Sequence, residues 1–290
     1  MKYYTYAILG AISASAVGVL VKLTNNEIPI MTLPFYRVLF AFIFLLFIIP
    51  IIDKNTFKIK NSDLKEYFII GLLLATAITV FTLANIFAPV QNVFLLANFA
   101  PFFTLILAYF WLKEKITKTK LITLLIAILG LLIINPFQKN LYSLGNSLSL
   151  LTAFLSAVLI TLMRKSDKEH SIGNVLWFFF FALILLLPLP FIFGFGTITN
   201  KTFIYLILLG LIGTAFQFLF HNLALENLEA EIVSIISMIF SPLIAILLAF
   251  FIVNETLNIR TIIGGIILII AGIYLEKHLK TKKKHIIHIK

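Results

Sequence analysis

Cysteine is absent from the 290 residues, which excludes disulfides and thiolate metal sites. Charge is scarce as well: Asp, Glu, Lys and Arg together make up 12% of the chain, against about 25% in a soluble domain. Catalytic signatures are missing. There is no HExxH pair, no GxGD-like pair of acids and no glycine-rich phosphate loop. His221 has no serine or cysteine nucleophile at a telling spacing. Enzyme chemistry is therefore not expected, and neither a metal nor a cofactor is.

Apolar sequence fills the space that charge leaves. Hydrophobic residues make up 61% of the chain and the mean hydropathy is +1.08, the composition of an integral membrane protein. A span needs about 20 apolar residues. Ten such runs are expected: Tyr4–Val21, Leu33–Ile52, Tyr67–Phe87, Gln91–Trp111, Leu121–Ile134, Asn146–Met163, Ile172–Phe193, Phe203–Asn222, Glu231–Ile252 and Thr261–Glu276. The fifth and tenth are short. The first has small residues like those of a signal-peptide cleavage site, but it matches an internal run and is read as a span.

The net charge of +11 would suit nucleic acid, yet topology accounts for it. With the N-terminus inside, 18 of the 23 Lys and Arg residues fall inside, from Lys2 to the six lysines between Lys277 and Lys290. Only Lys139, Lys201 and Arg260 fall outside, while Lys22 and Arg37 sit at membrane edges. That split supports ten spans with both termini cytoplasmic. The expected partners are the lipid bilayer and a small molecule, with no nucleic acid.

A repeat at an offset of 141 residues divides the chain. Ser15-Ala16-Val17 matches Ser156-Ala157-Val158, and Pro101, Ala108, Phe110 and Glu114 match Pro242, Ala249, Phe251 and Glu255. One offset serves the first, second and fourth spans of each half. The expected architecture is therefore all-α: residues 1–137 and 138–276 as two five-helix repeats, and 277–290 as a basic tail. Five is odd, so the second repeat enters the membrane inverted, a pattern of secondary transporters with a substrate site near the midplane.

Each repeat carries a proline in its fourth span, a glutamate at that span's end and a glycine in its fifth. These are Pro101, Glu114 and Gly130, then Pro242, Glu255 and Gly272. A basic residue ends the first span and an arginine opens the second, here Lys22 and Arg37. On these residues the chain resembles the EamA family of the drug/metabolite transporter superfamily, over residues 4–276. The resemblance implies a ten-helix bundle with alternating access that moves small metabolites across a cytoplasmic membrane, often outward. The chain departs from the pattern at Val17, where members often carry an aromatic residue, and at Ser241, where many carry an acid.

Several residues are expected to line a path. Pro101 and Pro242 each remove a backbone donor and free a carbonyl, so both are expected to break their spans. Arg37 and Lys22 would make a basic entry for an anionic group, unless both snorkel to the interface. Asn85, Gln91, Asn92, Asn98, Gln217, His221, Asn222, Ser237 and Ser241 would form a neutral hydrogen-bonding cavity, or else bond across helices as packing. Trp177 reads as an interface anchor, with cavity lining as the alternative. Glycines at 10, 18, 264, 265 and 272 serve helix packing or contact in a homodimer. No carboxylate lies at mid-span, so any ion coupling falls to His221, Glu229 or Glu231, the last two also suiting the positive end of span nine. The reading is export of a small polar, amino acid-like or drug-like solute. Import of an anion through Arg37 and a non-transporting membrane scaffold stay open beside it.

Overall fold

The computed structural model describes residues 2–24, 27–54, 56–57, 61–88, 90–134, 142–166, 172–253 and 259–287. Helices fill it, and no strand occurs among the described residues. The first half holds α1 (Lys2–Leu23), α2 (Leu33–Ile52), α3 (Asn61–Phe87), α4 (Val90–Ala97), α5 (Ala100–Leu107) and α6 (Lys118–Ile134). The second holds α7 (Ser143–Ser166), α8 (Gly173–Leu186), α9 (Pro188–Phe193), α10 (Asn200–Gly210), α11 (Gln217–Leu225), α12 (Ala230–Val253) and α13 (Ile259–Ile287). α4 and α5 make one segment, as do α8 and α9. A π-helical turn at Leu211–Phe216 joins α10 to α11, and another at Ala108–Leu112 follows α5.

Helix is what hydrocarbon permits, because each backbone donor then finds an acceptor within its own segment. Eight segments are long and apolar enough to cross a membrane. α6, at 17 residues, and the apolar part of α13, Ile259–Leu275, are the short ones, at the places expected for spans five and ten. Ile51, Phe110, Phe191 and Phe251 each expose more than two thirds of their surface. In water that exposure would forgo about 1.5–3 kcal/mol per side chain, whereas acyl chains cover it. The basic segment after Lys277 does not leave the helix: α13 carries on to Ile287.

Packing follows the repeat. α3 lies on α7 and α8, and their counterparts α10 and α11 lie on α1 and α2. α1 lies on α12 as α7 lies on α4 and α5. α2 meets α8, α5 meets α12 and α6 meets α13, each helix against its own counterpart. Exchanging the halves therefore returns the same neighbours. Glycine makes the last of these crossings tight: a Cβ on Gly264 would lie 2.6 Å from the Gly130 carbonyl oxygen. Gly272 has no such need, since its nearest neighbour is an ordinary van der Waals contact with Ile239 at 3.5 Å.

The two ends of the bundle are separately laced. At one, Tyr36 donates to the Phe195 carbonyl (2.9 Å), Thr32 to that of Gly194 (2.8 Å), and the Thr197 N–H to that of Glu27 (3.0 Å). At the other, the Trp177 indole donates to the Thr56 carbonyl (2.9 Å) and the Tyr67 hydroxyl to Asn174 (2.8 Å). Lys54, Lys113, Lys115, Lys118 and Lys165 belong to this second, basic end.

Only one of the expected breaks occurs. Span four ends its first helix at Ala97 and restarts at Ala100, with Pro101 in the first turn of α5, where a missing N–H costs nothing. Pro242 lies inside a continuous α12. The flanking turns hold that helix together across the one lost bond, so Pro242 is not a break.

Gly264→Ala is expected to overpack the α6–α13 crossing at a cost of about 1–3 kcal/mol, read as a lower melting temperature of the purified protein. Gly18→Ala, with no atom within 4 Å of the added methyl, should leave that temperature unchanged.

Candidate substrate path and its ion cluster

α12 carries the polar residues that organise the centre. Glu231, Ser234, Ser237 and Ser241 are spaced three, three and four apart, which confines them to about a third of the helix circumference. Ser237 is 2.9 Å from His221 Nε2 on α11. Thr104 on α5 donates its hydroxyl hydrogen to the Ala100 carbonyl beside the break (2.9 Å), and its oxygen lies 3.4 Å from the Ser234 hydroxyl. His221 is buried against α1 at Gly10, where any Cβ would strike the imidazole. The seam thus joins four segments, α1, α5, α11 and α12. Ser241 and Asn98 are half-buried, Ser241 further along the seam and Asn98 at the α4–α5 break.

Other candidates separate from this seam. Asn85 donates to the Phe81 carbonyl of its own helix (2.7 Å), which is packing. Asn92 bonds Asn146 across α4 and α7 (3.1 Å), also packing. Trp177, tied to Thr56, is an end anchor and does not line the centre. Gln217 is half-buried on α11, one turn before His221. The side chains of Lys22 and Gln91, and all of Glu255, lie outside the described residues.

Arg37 is a separate feature. It is 9% exposed, and its Nε donates to the Thr214 hydroxyl at 3.3 Å. Thr214 stands in the π-helical turn of span eight and donates in turn to Leu209, five residues back (2.8 Å). Among the described residues no carboxylate pairs with this guanidinium. Snorkelling would have carried it to the surface, and it has not.

At the basic end the seam runs into an ion cluster. Lys120 Nζ, at the start of α6, lies 2.6 Å from Glu229, also bonds Glu231, and donates to the Lys115 carbonyl (3.0 Å). Glu231 is 1% exposed and Lys120 is 3% exposed. Arg164, at the end of α7, donates to the carbonyls of Leu225 and Glu226, the latter at 3.2 Å, and so satisfies the end of α11. Its Nε is 3.7 Å from the Glu114 carboxyl. Glu114 in turn accepts from the Ala230 N–H (3.2 Å), capping α12 from the other repeat. The chain reverses at Lys113, the one non-glycine residue with positive φ (57°) among those described, and that left-handed turn brings Glu114 back onto α12. Burial, then a hydrogen bond to Glu231 and the charges of Glu231 and Glu229, push the Glu114 carboxyl up to about 9, with Arg164 opposing. The place of Glu114 in the repeated motif gives no sign of this environment. Counted by side of the membrane, Lys120 and Arg164 are topological charge alone. The available signal was their position, each one turn inside a helix rather than in a loop.

A family model described as EamA-like transporter family matches residues 1–135 and again 143–275. The S-adenosylmethionine uptake transporter of Rickettsia bellii is 27% identical over 280 residues, 95% of this chain and 94% of that one. The pseudopaline exporter CntI of Pseudomonas aeruginosa is 24% identical over 282 residues, 96% of this chain and 95% of that one. An uncharacterized transporter of Archaeoglobus fulgidus is 28% identical over 227 residues, covering 75% and 79%. A crystal structure superposes with a TM-score of 0.83 over 94% of this chain and 96% of its own, at 12% identity, a likeness of fold.

Lys120→Met is expected to strand the buried Glu231 carboxylate and to cost about 3–5 kcal/mol. The Lys120→Met/Glu231→Met pair should recover a large part of that loss. Thermal unfolding of the purified variants measures both.

Proposed function

The chain belongs to the EamA-like transporter family, and we propose that it is a secondary transporter moving a small polar solute, amino acid-like or drug-like, by alternating access. It is a multi-pass membrane protein. We place it in the cytoplasmic membrane with both termini on the cytoplasmic side, on the strength of the lysine distribution. Export is the proposed direction. The observation that carries the reading is the hydroxyl and imidazole seam, Thr104, Ser234, Ser237 and His221, where the broken span of one repeat meets the ninth span of the other. Neutral donors and acceptors at that depth suit a solute that exchanges hydrogen bonds with water for hydrogen bonds with the path. Relatives named for uptake and for export leave direction to experiment, and transport rather than catalysis is what they have in common.

Arg37 favours a second reading, in which the solute is anionic and is imported or exchanged. A guanidinium buried beside one threonine hydroxyl has donors to offer a carboxylate or phosphate. With no carboxylate partner among the described residues, its charge is costly unless something compensates it.

A melting-temperature screen of metabolites finds the ligand by mass action. Flux of that ligand into and out of proteoliposomes then sets direction. Ser237→Ala is expected to weaken apparent affinity about tenfold, the loss of one buried hydrogen bond. An Arg37→Gln protein that loses anionic solutes alone would select the second reading. If no solute moves and neither variant changes anything, a membrane scaffold is the better description.

A further inference from the structure

We propose that Glu114, together with Arg164, Lys120, Glu229 and Glu231, forms a proton-binding gate. The basic end is closed while the Glu114 carboxyl carries a proton, and it opens as that proton leaves. This rests on the transport reading above only for what the gate admits.

The first ground is the origin of the groups. Glu114 and Lys120 come from the first repeat, and Arg164, Glu229 and Glu231 from the second. Rocking the repeats apart at this end has to separate Glu114 from the Ala230 N–H and Lys120 from Glu231. The Thr104–Ser234 contact, one turn deeper on α12, would part with them.

The second ground is the charge count. Three carboxyls face two cations. Lys120 serves both Glu229 and Glu231, while Arg164 spends Nη1 on the carbonyls of Leu225 and Glu226. One carboxyl is therefore in surplus. Among the described residues, Glu231 Oε2 is buried with no donor. A proton on Glu114, the carboxyl that interacts with Glu231, would supply the pair with a donor and make the cluster neutral. Without the proton, two carboxylates meet lone pair to lone pair. The high proton affinity of Glu114 in this closed arrangement agrees. From α1, Tyr4 approaches Glu229. Lys113 and Lys115 on the connection, Lys118 at the start of α6 and Lys165 at the end of α7 are exposed, and Glu226 is half-buried.

The third ground is that the device is one-sided. At the repeat offset, Glu229, Glu231 and Lys120 correspond to Ala88, Val90 and Thr261. The lysine and the two acids that surround Glu114 thus have no ionic counterpart at these positions of the opposite end.

The sign follows from linkage. The closed end binds the Glu114 proton more tightly than an open, solvated one, whose carboxyl has an ordinary affinity. Low pH therefore favours closure. Between the ordinary carboxylate range and about 9, each unit of rising pH multiplies the open-to-closed ratio by up to tenfold. At neutral pH, opening gives one proton to the solution on that side and leaves the carboxylate behind. With the basic end cytoplasmic, solute then meets the path from the side that receives the proton.

Because the chain has no cysteine, labels can be placed without background. Spin labels at Lys118→Cys and Asn227→Cys, in nanodiscs without solute, report the width of this end. The expected result is a longer-distance population that grows between pH 6 and 9. Glu114→Gln should hold the short distance at every pH, and Glu114→Asp should restore a pH response. Glu231→Gln, which removes the neighbouring carboxylate, should end the response at lower pH. A distance distribution that ignores pH in the otherwise unsubstituted protein overturns the gate, as does a Glu114→Gln protein that still opens with rising pH. Absence of solute flux in proteoliposomes would sink the transport reading and leave these distances standing. A pH-silent end in a protein that does transport would sink the gate alone.

Discussion

A helix that ends within a bundle cannot turn to bulk water for the partners of its free N–H and C=O groups, and here charged side chains supply them across the repeats. Glu114 accepts from the first turn of α12, and Arg164 donates to the last carbonyls of α11. The same side chains carry the charge that Lys120, Glu229 and Glu231 balance. Capping and locking are thus one set of bonds. The helix ends that need partners are those that must move if the repeats rock. Their satisfaction in the closed arrangement therefore contributes directly to the difference between states.

Two copies of one plan have diverged where function would require it. The neighbours of each helix survive exchange of the halves, so packing has kept the symmetry. The centre has not. Span four breaks before Pro101 while α12 runs through Pro242, which leaves a kinked segment facing a continuous one. Hydroxyls collect on α12, opposite Thr104 and below Asn98. Arg37 has no basic counterpart at the repeat offset, where Phe178 stands. A solute with distinct ends meets distinct walls in such a path.

The fold was legible because hydropathy is written over long runs and the offset of 141 recurs in three spans of each half. Short spans five and ten were foreseeable from length alone. The site was legible in part. His221, Ser237 and Ser241 stood out as polar residues in apolar surroundings, and Glu229 and Glu231 as acids at a helix start. Their company did not. Counting lysines by side of the membrane treats Lys120 and Arg164 as points, and says nothing of a side chain that turns inward to a partner more than fifty residues away in the chain. Asn85 and Trp177 show the other side of this: each is a polar group in an apolar run, and each bonds a backbone carbonyl. For Pro242 the sequence announces a lost donor but not whether neighbouring turns absorb it.

Ionic and apolar closures differ in how they yield. Apolar surfaces lose contact area gradually, at about 25 cal/mol per Å². A buried ion cluster is favourable only while its geometry is complete, because each member's desolvation is offset by the others. Remove one hydrogen bond or add one charge, and the remainder is left costly as a group. Closure at the basic end therefore has the character of a two-state element, and the carboxyl of Glu114 is its least settled member, with a buried acceptor on one side and a guanidinium at 3.7 Å on the other. Across the bundle, Ala88 and its neighbours offer no such switch. A solute that opens the opposite end has the hydrogen bonds of Tyr36, Thr32 and Glu27 to break. One that opens the basic end has to do so against a cluster whose net charge is set by a single proton, and that difference is where a direction of transport can enter a symmetric fold.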